Sequence, residues 1–281
     1  MFSQGNATMD VSNLDEAIRF YTGPLGMTLT NRFGNRWATV ETGPSYWTTN
    51  EVRAGLVLGL RPSTQGDGSP GKAGGVGFGL ESYQPIGDIA ASFTARGVRV
   101  TSEIIRFEAG NTFAFEDGDG FPSYMHEFPP EMLEGANPDS ISTALVAGGH
   151  AIVYVTDMDA AIRFYTETLG LPLTNRFENH FATVEVGRSL VLGIHPRTPR
   201  TPVPGTKGSV TLGLVVDEPI DNVLSRLTQR GVRVLAAPSD TSAEIEDLDG
   251  NVITLWEPNA NGYGEPRRAL AASANPPRSA T

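Results

Sequence analysis

Ala17-Ile18-Arg19-Phe20-Tyr21-Thr22 recurs residue for residue as Ala161-Ile162-Arg163-Phe164-Tyr165-Thr166. Leu29-Thr30-Asn31-Arg32-Phe33 recurs as Leu173 to Phe177, and Ala38-Thr39-Val40-Glu41 as Ala182 to Glu185, all 144 residues apart. Farther on, Val57-Leu58-Gly59 matches Val191-Leu192-Gly193, and Arg96 to Val100 matches Arg230 to Val234, now 134 apart. The first copy therefore carries ten added residues within TGPSYWTTNEVRAG (42–55), and four more before Asp119-Gly120, which matches Asp249-Gly250. Identical blocks at constant spacing mean a tandem duplication.

Each copy reads as β-α-β-β-β twice. In the second copy His150–Val155 has strand composition, and Asp157 is placed to cap a helix over Met158–Thr168 that Gly170 ends. Strands are expected at Leu173–Phe177, Phe181–Val186 and Leu190–Ile194. The second unit follows with a strand at Val210–Val216 and a helix at Ile220–Arg230, with Ile220, Val223, Leu224 and Leu227 inward. Val232–Leu235, Ser242–Glu246 and Val252–Trp256 supply its remaining strands. The first copy follows the same order, with its second helix at Pro85–Arg96. The repeat divides the chain into modules at 1–130 and 144–260, a Pro/Gly/Ser-rich linker at 131–143 and a segment 261–281 expected to be disordered.

The order strand, Asp-Xaa-Asp-Ala-Ala-Ile-Xaa-Phe-Tyr, Leu-Gly-Leu and a closing Asp-Leu-Asp-Gly-Asn-Val-Ile-Thr-Leu resembles a module of the vicinal-oxygen-chelate (glyoxalase/bleomycin-resistance/dioxygenase) superfamily. The resemblance covers both copies. It implies an α+β fold of four βαβββ units paired into two modules with cup-shaped mixed sheets, units one and two closing one cup and units three and four the other. It leaves function open, because this fold carries metal-dependent lyases, isomerases and ring-cleaving dioxygenases as well as metal-free drug-sequestering proteins.

Metal ligands separate those classes. The resemblance puts a His on the first strand of a module, where this chain has Asn6 and His150. A second ligand belongs at Gly77 and Thr211, a Glu on the last strand at Tyr124 and Thr254, and a further carboxylate at Gly59 and Gly193. One slot of eight holds a competent ligand, whereas a site of useful affinity needs three. The expectation is no metal and no cofactor; a displaced set built from His126, His150 and His195 is the alternative.

With no cysteine among 281 residues, disulfides, thiolate metal sites and cysteine nucleophiles are excluded. A formal charge of −11 argues against nucleic acid and anionic membrane surfaces as partners. No apolar run approaches a membrane span and the first residues lack export features, so a cytoplasmic monomer or homodimer is expected.

The site candidates are Asn6, Trp37, Tyr46, Trp47, Gly77, Tyr124, His126, His150, Thr211, Thr254 and Trp256. Their aromatic members suit a flat small-molecule ligand. Tyr46 and Trp47 lie in the insert and are expected to form a lid over the first copy's cup, or an interdomain contact. On the lid reading the first copy is the better ligand site, and Trp47→Ala weakens binding at an unchanged melting temperature. The first reading is a metal-free binder of an apolar or aromatic metabolite or drug. The alternatives are an acid–base enzyme using His150 or His126 beside Tyr124 or Thr254, and a metal-dependent lyase or dioxygenase with displaced ligands. Arg32, Arg36 and Arg176 read as solvated strand-edge residues, with a place at a cup rim as the alternative.

Overall fold

The computed structural model describes residues 1–48, 54–63, 69–107, 110–128, 144–236 and 241–258. The expected linker and the segment 261–281 lie outside these residues.

Unit one holds β1 (Phe2–Val11), α1 (Leu14–Thr22), β2 (Thr28–Phe33), β3 (Trp37–Pro44) and β4 (Gly55–Pro62). Unit two holds β5 (Val76–Ser82), α2 (Ile86–Ala95), β6 (Arg99–Val100), β7 (Ile105–Phe107), β8 (Gly110–Glu116) and β9 (Pro122–Glu127). Unit three holds β10 (Gly148–Val155), α3 (Met158–Arg163), β11 (Leu173–Phe177), β12 (Phe181–Val186) and β13 (Leu190–Pro196). Unit four holds β14 (Val210–Val216), α4 (Ile220–Gln229), β15 (Ser242–Glu246) and β16 (Val252–Trp256). The expected helix over Met158–Thr168 is α-helical to Arg163 and π-helical over Phe164–Thr168. Of the expected strand Val232–Leu235, a single bridge at Val234 forms.

Period-two alternation in the first strand of every unit explains why the sheets bury one face under helices and turn the other inward. In β1, Ala7, Met9 and Val11 enter the core while Asn6, Thr8 and Asp10 alternate with them. In β5, Phe78 and Leu80 enter the core, leaving Gly77, Gly79 and Glu81 on the other face. β10 and β14 repeat this, with Val153 and Val155, and Leu212 and Leu214, in the core. One continuous core gathers residues from all four units. Helix starts are fixed locally: Asn13 accepts from the backbone N–H of Asp15 and Glu16, and Asp157 from that of Ala160 at 2.9 Å.

The pairing of units corrects the expected one. β1 of unit one pairs antiparallel with β14 of unit four, Asn6 opposite Gly213 and Thr8 opposite Thr211. β5 of unit two pairs antiparallel with β10 of unit three, Gly79 opposite His150 and Gly77 opposite Ile152. Each cup is therefore half first copy and half second copy. Units of the same copy meet instead through a helix-end tyrosine and a turn aspartate. Tyr21 donates to Asp117 and Tyr165 to Asp247, both at 2.9 Å. The two cups join where Gly55 of β4 pairs with Leu190 of β13.

At that junction each cup receives the β-hairpin connection of the other. The β12–β13 turn is anchored on β1: Gly5 N–H donates to Ser189 Oγ at 2.7 Å, and Ser189 Oγ–H to Gly5 carbonyl at 2.9 Å. Gly187 in this turn has φ +56, and a Cβ there would lie 1.8 Å from the Ser3 carbonyl oxygen, so only glycine fits. In the longer β3–β4 connection, Ser45, Tyr46 and Trp47 reach the opposite way, onto Glu81 and Phe181 in the cup of units two and three.

Candidate functional site

The first cup, from units one and four, brings together Asn6, Trp37, Thr211, Thr254 and Trp256. The Trp37 indole covers Gly59, where a Cβ would stand 2.3 Å from the ring, and its Nε1–H donates to Thr39 Oγ1 at 3.0 Å. Trp256 covers Gly213 in the same way, at 2.4 Å. Glycine at these positions is what lets two indoles lie flat on the sheet. Trp256 Nε1 is buried with no partner among the described residues. Asn6 donates to Thr8 Oγ1 at 3.0 Å, and Arg61 holds the buried Asp10 with two hydrogen bonds of 2.7 and 3.2 Å.

A cleft of about 400 Å³ opens in this cup, lined by Asn6, Asn31, Trp37, Glu41 and Val57, with Arg188 from the β12–β13 turn at its edge. A smaller space of about 110 Å³ lies beside Thr8, Arg61, Thr211, Thr254 and Trp256. The 400 Å³ cleft is within the size range of small-molecule sites. Asn31 sits at a register shift between β2 and β3, and Asn175 at the matching shift between β11 and β12. A bulge of this kind re-aims side chains along a strand.

The second cup, from units two and three, collects Tyr46, Trp47, Gly77, Tyr124, His126 and His150. Its centre is a residue that reading the sequence passed over. Glu81 is fully buried and accepts from Ser45 Oγ at 2.6 Å, from Tyr46 backbone N–H at 2.7 Å and from His150 Nδ1 at 2.6 Å. The available signal was a lone carboxylate on the face of β5 that otherwise presents Gly77 and Gly79.

Trp47 fills this cup rather than lying over a first-copy cup. Its ring packs against Phe128, Phe177 and Phe181, with ring centres 5.1, 5.2 and 5.5 Å away. Asn175 Nδ2–H donates to the Trp47 carbonyl at 2.9 Å, and Thr48 Oγ1–H to Glu185 at 2.9 Å. Burial pushes the Tyr124 hydroxyl pKa up, and does the same to Tyr154, where Tyr124 adds to the effect. Burial pushes the His195 pKa down, against the Pro196 carbonyl that accepts from its ring. Arg32 and Arg176 pair with Asp15 at 2.7 Å and Asp159 at 2.6 Å, and Arg188, not these two, reaches the cleft.

The residues present do not fit the divalent metal that this fold often carries. In the first cup, the Trp37 indole covers Gly59, and the remaining slots hold Asn6, Thr211 and Thr254. In the second, the Nδ1 bond to Glu81 leaves His150 Nε2 able to ligate, but the slots that would complete a site hold Gly77, Tyr124 and Gly193, the last covered by Phe181 and His150. Among the described residues no group of three His, Asp or Glu stands close enough to hold a metal ion, the set His126, His150 and His195 included.

Paired βαβββ units that form two cups along one continuous mixed sheet define a class of duplicated, cup-forming proteins. The chain belongs to the Glyoxalase/Bleomycin resistance protein/Dioxygenase superfamily, whose model matches residues 5–122 and 148–255. It is similar in fold to glyoxalase I from Zea mays, with a TM-score of 0.61 at 18% identity over 90% of this chain and 92% of that one. It is also similar to virulence protein STM3117 of Salmonella typhimurium, at 27% identity over 141 residues. That match spans 46% of this chain and 95% of the Salmonella protein, which is thus about one copy long.

Proposed function

We propose that the protein is a metal-free binder of a small aromatic molecule, and that the ligand sits in the cleft between units one and four. One observation carries this reading: the cleft of about 400 Å³ stands open in the first cup, whereas Trp47 fills the equivalent space in the second. Trp37 supplies a flat apolar wall, and Asn6, Asn31, Thr39 and Glu41 supply polar groups that fix orientation. Both cups close within one chain, so a monomer suffices as the binding unit. No helix among the described residues is long and apolar enough to cross a membrane. An acid–base role for His150 gains no support from a ring whose side chain is 7% exposed and packed against Phe181.

A thermal-shift screen of planar aromatic compounds tests this reading, repeated on Val57→Trp, which fills the cleft. Compounds that stabilise the parent protein should fail to stabilise the variant. Stabilisation that survives Val57→Trp would place the ligand elsewhere.

A further inference from the structure

We infer that the ligand of the first cup has an indole-sized flat ring with a carbonyl acceptor beside it and a hydroxyl donor next to that. The inference rests on the first cup being the ligand cleft, and it takes its chemistry from what fills the second.

The two cups are built from the same repeat, so the occupant of one reports what the other is shaped to take. In the second cup the occupant is the chain's own Trp47-Thr48. Its indole packs against Phe181, the rings tilted by 53°, and joins a cluster with Val191 and Phe128. Its carbonyl is held by Asn175 and the following hydroxyl by Glu185. The repeat places Asn31 at the position of Asn175, Trp37 at that of Phe181, Glu41 at that of Glu185, and Val57 at that of Val191. All four of these residues line the open cleft.

The polar groups of the first cup are those a Trp-Thr-like occupant would use. Asn175 spends its amide on the Trp47 carbonyl and on Thr183 Oγ1. In the first cup Thr39 Oγ1 accepts from the Trp37 indole instead, and the Asn31 side chain has no hydrogen-bond partner among the described residues. Glu185 takes the Thr48 hydroxyl, while Thr174, beside it, turns to Thr183. In the first cup Thr30 turns to Glu41 instead, donating to Oε1 at 2.7 Å and leaving Oε2 for a ligand. A donor for a carbonyl, an acceptor for a hydroxyl and a flat wall thus stand in the register that the occupied cup displays.

The blocked dipeptide acetyl-Trp-Thr-amide, titrated calorimetrically into the full chain, is the direct probe. One site is expected, with a dissociation constant on the order of 1 mM or tighter. Asn31→Ala and Glu41→Gln, at partly exposed positions where folding should persist, should each weaken it about fivefold. Acetyl-Leu-Thr-amide, without the ring, and acetyl-Trp-Val-amide, without the hydroxyl, should bind more weakly. No binding of acetyl-Trp-Thr-amide at about 10 mM, or binding untouched by both substitutions, overturns the inference. If a screened compound loses its binding on Val57→Trp while the dipeptide does not bind, the ligand chemistry is overturned and the cleft stands. If no screened compound depends on Val57 either, the cleft falls with it.

Discussion

The Trp47 indole of the first copy lies against the Phe181 ring of the second, ring centres 5.5 Å apart. This contact carries the Trp47 side chain out of unit one and into the cup of units two and three. Trp47 is 6% exposed, so it is part of a core rather than a lid. Trp47→Ala should therefore destabilise the protein by about 3–5 kcal/mol, the range for truncating a large buried aromatic. The expectation of an unchanged melting temperature is replaced by this one. Denaturant unfolding checks it, and a loss under about 1 kcal/mol would count against a packed Trp47.

Glu81 anchors the same arm. Glu81→Val removes the acceptor of three donors, each of which costs about 1–3 kcal/mol when left buried and unpaired. His150→Asn removes one donor from Glu81 and should be milder. In the double variant the two costs should fall short of their sum, because His150 no longer has a partner to lose. A double-mutant cycle by urea unfolding measures the coupling; additive costs would mean the pair contributes nothing.

Gly59 meets Trp37 so closely that a single methyl group must move the indole. Gly59→Ala should cost about 1–3 kcal/mol and shift the tryptophan emission. Gly87 in α2 has nothing within 4 Å of a Cβ and serves as the control. Gly87→Ala should be neutral or stabilising by up to about 1 kcal/mol. Equal effects at both sites would contradict the seating of Trp37.

Tyr21 and Tyr165 make the protein sensitive to alkali. Burial, and then the neighbouring Asp117 and Asp247, raise their hydroxyl pKa values well above the ordinary value near 10. Because the folded values lie above the unfolded ones, the associated stability is whole below about pH 10 and is lost as pH rises from there. The double variant Tyr21→Phe and Tyr165→Phe should lose stability less steeply above pH 10. Urea unfolding between about pH 9 and pH 11 reads the slopes directly; identical slopes would exclude these tyrosines as the cause.

Much of this was legible in the chain itself. The duplication, the order of elements, the helix cap at Asp157 and the family all follow from local pattern. Caps and period-two alternation depend on residues near one another in sequence. Glu81 was missed because an isolated carboxylate in a strand has no spacing to reveal it. Its donors arrive from the β3–β4 connection and from β10, far along the chain.

The sequence by itself determined that there are four alike units; the tertiary structure alone decided which unit meets which. The first strands of all four units offer nearly the same apolar face and the same backbone edge. A local reading therefore finds no difference between closing β1 on β5 and closing it on β14. The choice is made by contacts distant in sequence: Ser189 on Gly5, Tyr21 on Asp117, and Ser45 and Tyr46 on Glu81. These contacts also decide which cup is filled and which stays open.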